Sequence, residues 1–178
     1  NYYFIENDSS IFIFKIGKNY NNFKNGMKIV AAHTDSPGLK IKPNPIIDSK
    51  EQFKLNIEVY GGPILNTWFD RPLSVSGKVV IKNGNTLESK LINIEKPIFI
   101  IPNLAIHLDK PDKKINPQID LQPIIPVVNA EKSKDYLIDL ISRELQIKKE
   151  EIIDYDLYLY AVEKGVLVGE ESDCISSG

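Results

Sequence analysis

The chain has little sulfur, little imidazole and no surplus of either charge. Its one cysteine, Cys174, rules out an internal disulfide and fits a reducing compartment. Lys and Arg total 22 against 24 for Asp and Glu, so a net charge of −2 supplies no basic footprint for nucleic acid. No apolar run approaches the roughly 18 residues of a membrane-spanning helix. The N-terminus has no basic region followed by an apolar one, the pattern of a secretory leader. A Gly-rich phosphate loop, a Gly-x-Ser-x-Gly elbow and a thiol-protease signature are all missing. The expectation is a cytoplasmic protein with neither nucleic acid nor a membrane as partner.

What is present is ordinary for a globular chain: 178 residues, 42% hydrophobic and 26% charged, enough for a core in one or two domains. Both ends read as cut. The chain opens in a strand at Tyr2 and closes just after an acidic loop, so a segment of a longer protein is expected.

Residues 2–17 predict a β-hairpin, two aromatic and β-branched runs around Asn7, Asp8, Ser9 and Ser10. Residues 27–32 are too continuously apolar for a half-exposed strand and suit a central strand covered on both faces. That run ends in Ala32-His33-Thr34-Asp35-Ser36-Pro37-Gly38, a strand delivering an imidazole and a carboxylate to a loop.

Past Gly38 the period changes to two. Residues 39–42, 53–59 and 73–81 alternate apolar and polar, with one face buried and one wet. Pro43, Pro45 and Asp48 predict a turn, and Gly61-Gly62-Pro63 a break. Asn83-Gly84-Asn85 predicts a hairpin turn, followed by a return strand over 87–94. Residues 98–101 and 104–108 read as further strands around Pro102, and 110–126 as a proline-punctuated loop. The block resembles a small antiparallel or barrel-like lobe. A helix is expected over 133–146, capped by Ser133, with Tyr136, Leu137, Leu140, Ile141 and Leu145 as its apolar stripe. Residues 156–160 read as a strand, and 165–171 as a loop.

Two places could carry chemistry. On a strand end, His33 and Asp35 project to the same side. A carboxylate there can take the proton of one imidazole nitrogen, fix the tautomer and leave the other nitrogen as a metal ligand. The alternative is a loop histidine beside an Asx turn at Asp35, and spacing alone leaves both readings open. His107, the second of two histidines, is expected on an apolar strand facing away from Ile106 and Leu108; a lone histidine is more often structural than catalytic. The stretch 61–71, with Trp68, Phe69, Asp70 and Arg71, reads as a packed turn at a sheet edge, or as an oligomer contact if exposed. Glu170, Glu171 and Asp173 read as a solvated acidic loop.

Four segments in order resemble one family. Ala32-His33-Thr34-Asp35-Ser36-Pro37 is similar to the signature around the first zinc ligand of the aspartyl aminopeptidase and vacuolar aminopeptidase I family. Tyr60-Gly61-Gly62 followed by Thr67-Trp68-Phe69-Asp70-Arg71, with Leu73 and Gly77, resembles its Tyr-Gly-Gly…Trp-Phe-Asp-Arg stretch. Residues 101–108 resemble its Ile-Pro-x-Leu-Ala-Ile-His-Leu stretch, and 156–175 the run into an Arg-Leu-Asp-Asn motif. The resemblance covers nearly the whole chain. It implies an α/β fold, part of a zinc-exopeptidase α/β catalytic domain interrupted by a β-rich dimerisation domain. The expected division is 1–42 catalytic, 43–150 dimerisation lobe and 151–178 return into the catalytic domain.

By the same resemblance, His33 is a zinc ligand and Asp35 the carboxylate that orients it. His107 is the histidine extended into a neighbouring subunit's site to bind substrate and stabilise the tetrahedral intermediate. The implied activity is hydrolysis of an N-terminal residue, acidic or neutral, from a peptide substrate. It would use two Zn2+ per subunit, with Co2+ or Mn2+ as substitutes, in a homodimer that assembles to a dodecamer. Departures are expected to matter. The chain stops at Gly178, where Arg-Leu-Asp-Asn should begin, and Pro72 replaces the acidic residue usual after Asp-Arg. The segment by itself is therefore not expected to be active. The alternative is a non-catalytic assembly protein that retains the dimerisation lobe.

Overall fold

The aromatic runs at the N-terminus pair as expected. β1 (Tyr2–Glu6) and β2 (Ser10–Phe14) form an antiparallel hairpin with Tyr2 opposite Phe14 and Phe4 opposite Phe12. Each aromatic pair stacks, with ring centroids 5.3 and 4.6 Å apart. The computed structural model describes residues 1–7, 9–18, 20, 26–49, 52–105, 107–108, 114–125 and 135–176. They belong to two units, Asn1–Asp35 and Ser36–Gly178, each described by itself.

In the first unit the expected central strand over 27–32 does not form. Residues 26–35 take no regular structure, and Ile29 and Val30 are 76% and 95% exposed. A strand apolar on both faces draws its stability from partners on both edges and layers on both sides. Among the described residues, nothing pairs with this run.

The second unit is organised by the period-two pattern. β3 (Gly38–Ser49), β4 (Gln52–Tyr60), β5 (Leu73–Asn83), β6 (Thr86–Asn93), β7 (Ile124–Ile125) and β8 (Ile152–Ala161) form one six-stranded sheet. The order is β6-β5-β8-β3-β4-β7, and every pairing is antiparallel. Alternate residues Leu39, Ile41, Leu55, Ile57, Val75, Val79, Leu157 and Leu159 are buried on one face. Leu137, Leu140 and Ile141 of α1 (Tyr136–Leu145), with Ile101 and Leu121, complete that core. On the other face Lys40 reaches Asp156 at 2.9 Å and lies 5.7 Å over the Tyr158 ring. The Asp156 hydrogen bond raises the Lys40 pKa above its ordinary value, with the opposing burial contribution smaller.

Several details differ from the expectation. Pro43 and Pro45 do not end β3. The ladder with β4 shifts register between Ile41 and Ile46, and β8 pairs only at Leu39 and Lys40. The prolines sit where no ladder donor is required. Residues 98–101 make only isolated bridges, Leu73↔Phe99 and Ile100↔Ile124. At the described residues of the expected 104–108 strand there is no strand: 107–108 lie in a turn, with the Leu108 amide donating to the Ala105 carbonyl at 2.8 Å. β7 lies inside the expected 110–126 loop. The 165–171 loop is in fact part of a further hairpin, β9 (Val166–Val168) with β10 (Cys174–Ser176). Ser133 lies outside the described residues. Asp135 precedes α1 without a side-chain cap bond, and Gln146 closes the helix in the left-handed region.

One glycine is dictated by packing. Gly77 has φ +151°, and a Cβ there would collide with the Asp156 carbonyl of β8. The β5–β8 pairing, which runs from Leu73↔Ala161 to Ile81↔Ile152, depends on that close approach.

Candidate functional site

His33 and Asp35 are brought together in the first unit. His33 Nδ1 lies 3.0 Å from Asp35 Oδ1 and 3.1 Å from the Asp35 carbonyl oxygen. With Nδ1–H donating to these oxygens, Nε2 is the nitrogen presented as a ligand. The proximity needs no strand, because Thr34 is the only intervening residue and the carboxylate folds back onto the ring. Both groups are open to solvent, 81% and 55% by side chain. Among the described residues no group of three or more His, Cys, Asp and Glu could hold a metal ion. The donor set here, one imidazole plus one orienting carboxylate, fits a fragment of a zinc centre, which ordinarily needs at least three protein ligands.

His107 stands in the second unit, in the exposed turn after Ala105 rather than on a strand. The segment leading to it is held by a residue whose role the sequence did not disclose. Asp70 Oδ1 accepts the Asn103 amide at 2.9 Å, and the Asp70 amide donates to the Ile101 carbonyl at 2.9 Å. Asp70 adopts φ 55°, a conformation open to few residues besides Gly, Asn and Asp. Asn103 Oδ1 in turn accepts the Leu104 amide at 3.0 Å. The second motif is thus the clamp for the third. An Asp following two aromatics in a turn was the available signal.

Arg71 does not pair with Asp70. Its Nε and Nη2 donate to Glu163 Oε2 at 3.0 and 2.8 Å, tying the turn to the chain just past β8. Trp68 and Phe69 are half-buried against the core, as a packed turn requires. Gly61 (φ +71°) lets the Tyr60-Gly61-Gly62 turn lie against Pro37, which a Cβ would meet at 3.2 Å. Pro37, Gly62, Pro63, Trp68, Arg71 and Tyr158 are among the residues lining an open groove of about 550 Å3 in this unit. Glu170, Glu171, Asp173 and Cys174 are exposed around the β9–β10 turn. No helix among the described residues is long and apolar enough to cross a membrane.

Comparison with known proteins identifies the family. A family model described as aminopeptidase I zinc metalloprotease (M18) matches residues 1–178. A probable M18 family aminopeptidase 2 of Clostridium novyi is 50% identical over 99% of the chain, and the match spans 42% of that protein. Among solved structures, a chain of the cryo-EM structure of the Ape4 and Nbr1 complex superposes with a TM-score of 0.83 at 31% identity. That match covers 98% of this chain and 37% of the other. The crystal structure of the M18 aminopeptidase from Thermotoga maritima superposes with a TM-score of 0.61 at 30% identity, covering 81% and 34%. The sheet-dominated architecture, with few helices, agrees with these structures and bears out the expected fold class, of which the chain holds a part. The chain spans about two fifths of the length of the curated relatives it matches.

Proposed function

The chain belongs to the M18 family of aminopeptidase I zinc metalloproteases, and from that premise we propose that the complete protein is a metal-dependent aminopeptidase. It removes an N-terminal residue, acidic or neutral, from peptides at a dinuclear zinc site, with Co2+ or Mn2+ as substitutes. The observation that carries the reading is the His33–Asp35 pair at 3.0 Å, within the stretch that resembles the family's zinc-ligand signature.

His33 holds one metal through Nε2. Asp35 keeps the proton on Nδ1 and offsets part of the charge that the ligand takes on. Zinc, when bound, supplies a water of lowered pKa and a Lewis acid for the scissile carbonyl. The remaining ligands and the general base come from outside the 178 residues. His107 serves the site of a neighbouring copy, where its ring donates to the oxygen that gains charge as the carbonyl becomes tetrahedral. Its exposed turn, which follows the segment 101–103 held by Asp70, supports a role at a surface. Residues 43–150 act as the dimerisation lobe between catalytic segments 1–42 and 151–178. The protein is a homo-oligomer, a dimer that builds to a dodecamer, and works in the cytoplasm.

The test uses the complete protein. His33→Ala is expected to lose metal and hydrolysis together, read by elemental analysis and an aminoacyl-substrate panel. His107→Ala is expected to lower kcat at unchanged metal content. A fully metallated His33→Ala enzyme, or normal turnover without His107, would overturn the respective assignment.

A further inference from the structure

The two edges of the six-stranded sheet differ. Among the described residues β7 offers only Ile124–Ile125 at its edge. β6, at the other edge, is eight residues long, contains no proline and is exposed along nearly its whole length. Leu87 and Leu91, two pleats apart on one face, are 66% and 82% exposed. Exposed leucines on a long edge strand without proline invite pairing, and the charges beside them, Glu88 and Lys90, are of opposite sign.

The turn fixes which backbone groups are on offer. Asn83 and Thr86 flank the two-residue turn Gly84-Asn85 and form its closing pair, the hydrogen-bonded kind. Thr86, Glu88, Lys90 and Ile92 therefore direct their amides and carbonyls at β5, and Leu87, Ser89 and Leu91 direct theirs outward. A second β6 edge can meet this one antiparallel only if outward groups face outward groups, so the twofold axis must pass through a residue. Centred on Glu88 it would set Glu88 against itself, and centred on Lys90 it would set Lys90 against itself. Centred on Ser89 it sets Leu87 opposite Leu91 and Glu88 opposite Lys90, each twice by symmetry. Asn83 Nδ2 already donates to Glu88 Oε1 at 2.8 Å, which steadies that carboxylate and leaves Oε2 to accept from lysine.

We propose that the β6 edge is a self-association surface, pairing antiparallel with β6 of a second copy about an axis through Ser89. The two sheets then run on as one across the axis. Four leucines cluster on one face and two Glu88–Lys90 pairs lie on the other. This deepens the homo-oligomer reading above and rests on it.

Charge reversal in the complete protein tests the register, with sedimentation velocity reading the self-association constant and circular dichroism the fold. Glu88→Lys and Lys90→Glu each convert two attractive pairs into two repulsive ones, and each is expected to weaken association about tenfold. The double variant Glu88→Lys/Lys90→Glu restores the pairing and is expected within about threefold of wild type. Lys90→Glu leaves the Asn83–Glu88 bond intact and serves if Glu88→Lys perturbs the turn. Self-association insensitive to both single changes, or a double variant worse than either, overturns the β6 register but leaves the oligomer reading standing. A wild-type protein that hydrolyses peptides yet stays monomeric overturns both, while the aminopeptidase reading survives.

Discussion

Replacing Asp70 separates the two things it does for the His107 segment. Its carboxylate accepts the Asn103 amide at 2.9 Å, and its backbone holds φ 55°. A hydrogen bond to a charged acceptor is worth ~1.5–3 kcal/mol when buried; this one is exposed, so about 1 kcal/mol is the working figure. Holding alanine in the left-handed region costs roughly 1 kcal/mol more than holding a residue that tolerates it. Asp70→Ala loses both and should ease local opening of residues 101–105 by about 2 kcal/mol, an increase in amide exchange of roughly 30-fold. Asp70→Gly keeps the conformation and loses the acceptor, so exchange rises only about fivefold. Asp70→Asn keeps an oxygen acceptor and the left-handed tolerance, and stays within about threefold of wild type. Hydrogen exchange with peptide-resolved mass spectrometry on the complete protein reads all three. Asparagine as disruptive as alanine would refute the clamp, because charge rather than geometry would then be acting.

Three further outcomes are expected. Asp35→Asn should retain the fold but weaken metal binding about 10- to 100-fold, the range typical of lost outer-shell carboxylates; competitive chelation measures it, and unchanged affinity would remove Asp35 from the site. Gly77→Ala should cost at least ~2 kcal/mol in unfolding, since the methyl meets backbone and β5 or β8 must move; an unshifted denaturant midpoint would contradict the close approach. Alkaline pH should destabilise the fold. Lys40 is raised above 10.5 by Asp156, and Tyr155 above 10.0 by burial and then Asp154, so their contributions are complete below those values and fade as pH climbs through the folded pKa values. Tyr155→Phe should flatten the alkaline fall, and an equally steep fall in the variant would exclude the phenol as a contributor.

Much of the sheet could be read from alternation. β4, β5, β6 and the centre of β8 were legible because each buries one face on the same core, and Asn83-Gly84-Asn85 fixed the β5–β6 hairpin. The prolines of β3 misled, since only a partner ladder shows where donors are dispensable. The 104–108 run misled for a related reason: it follows a segment, 101–103, held by Asp70, a contact 33 positions distant in sequence.

The sequence alone determined the local pairs. His33 and Asp35 meet because a single residue separates them, and the odd-even pattern of residues 86–93 assigns Leu87 and Leu91 to one face, whatever surrounds them. Tertiary structure decided everything that depends on a distant partner. Asp70 became the clamp for residues 101–103, Arg71 turned to Glu163 instead of its neighbour, and Gly77 became obligatory when β8 crossed its position. It also withheld a strand from 27–32. Hydrophobicity there specifies burial, but pairing requires neighbouring strands that no described residue supplies.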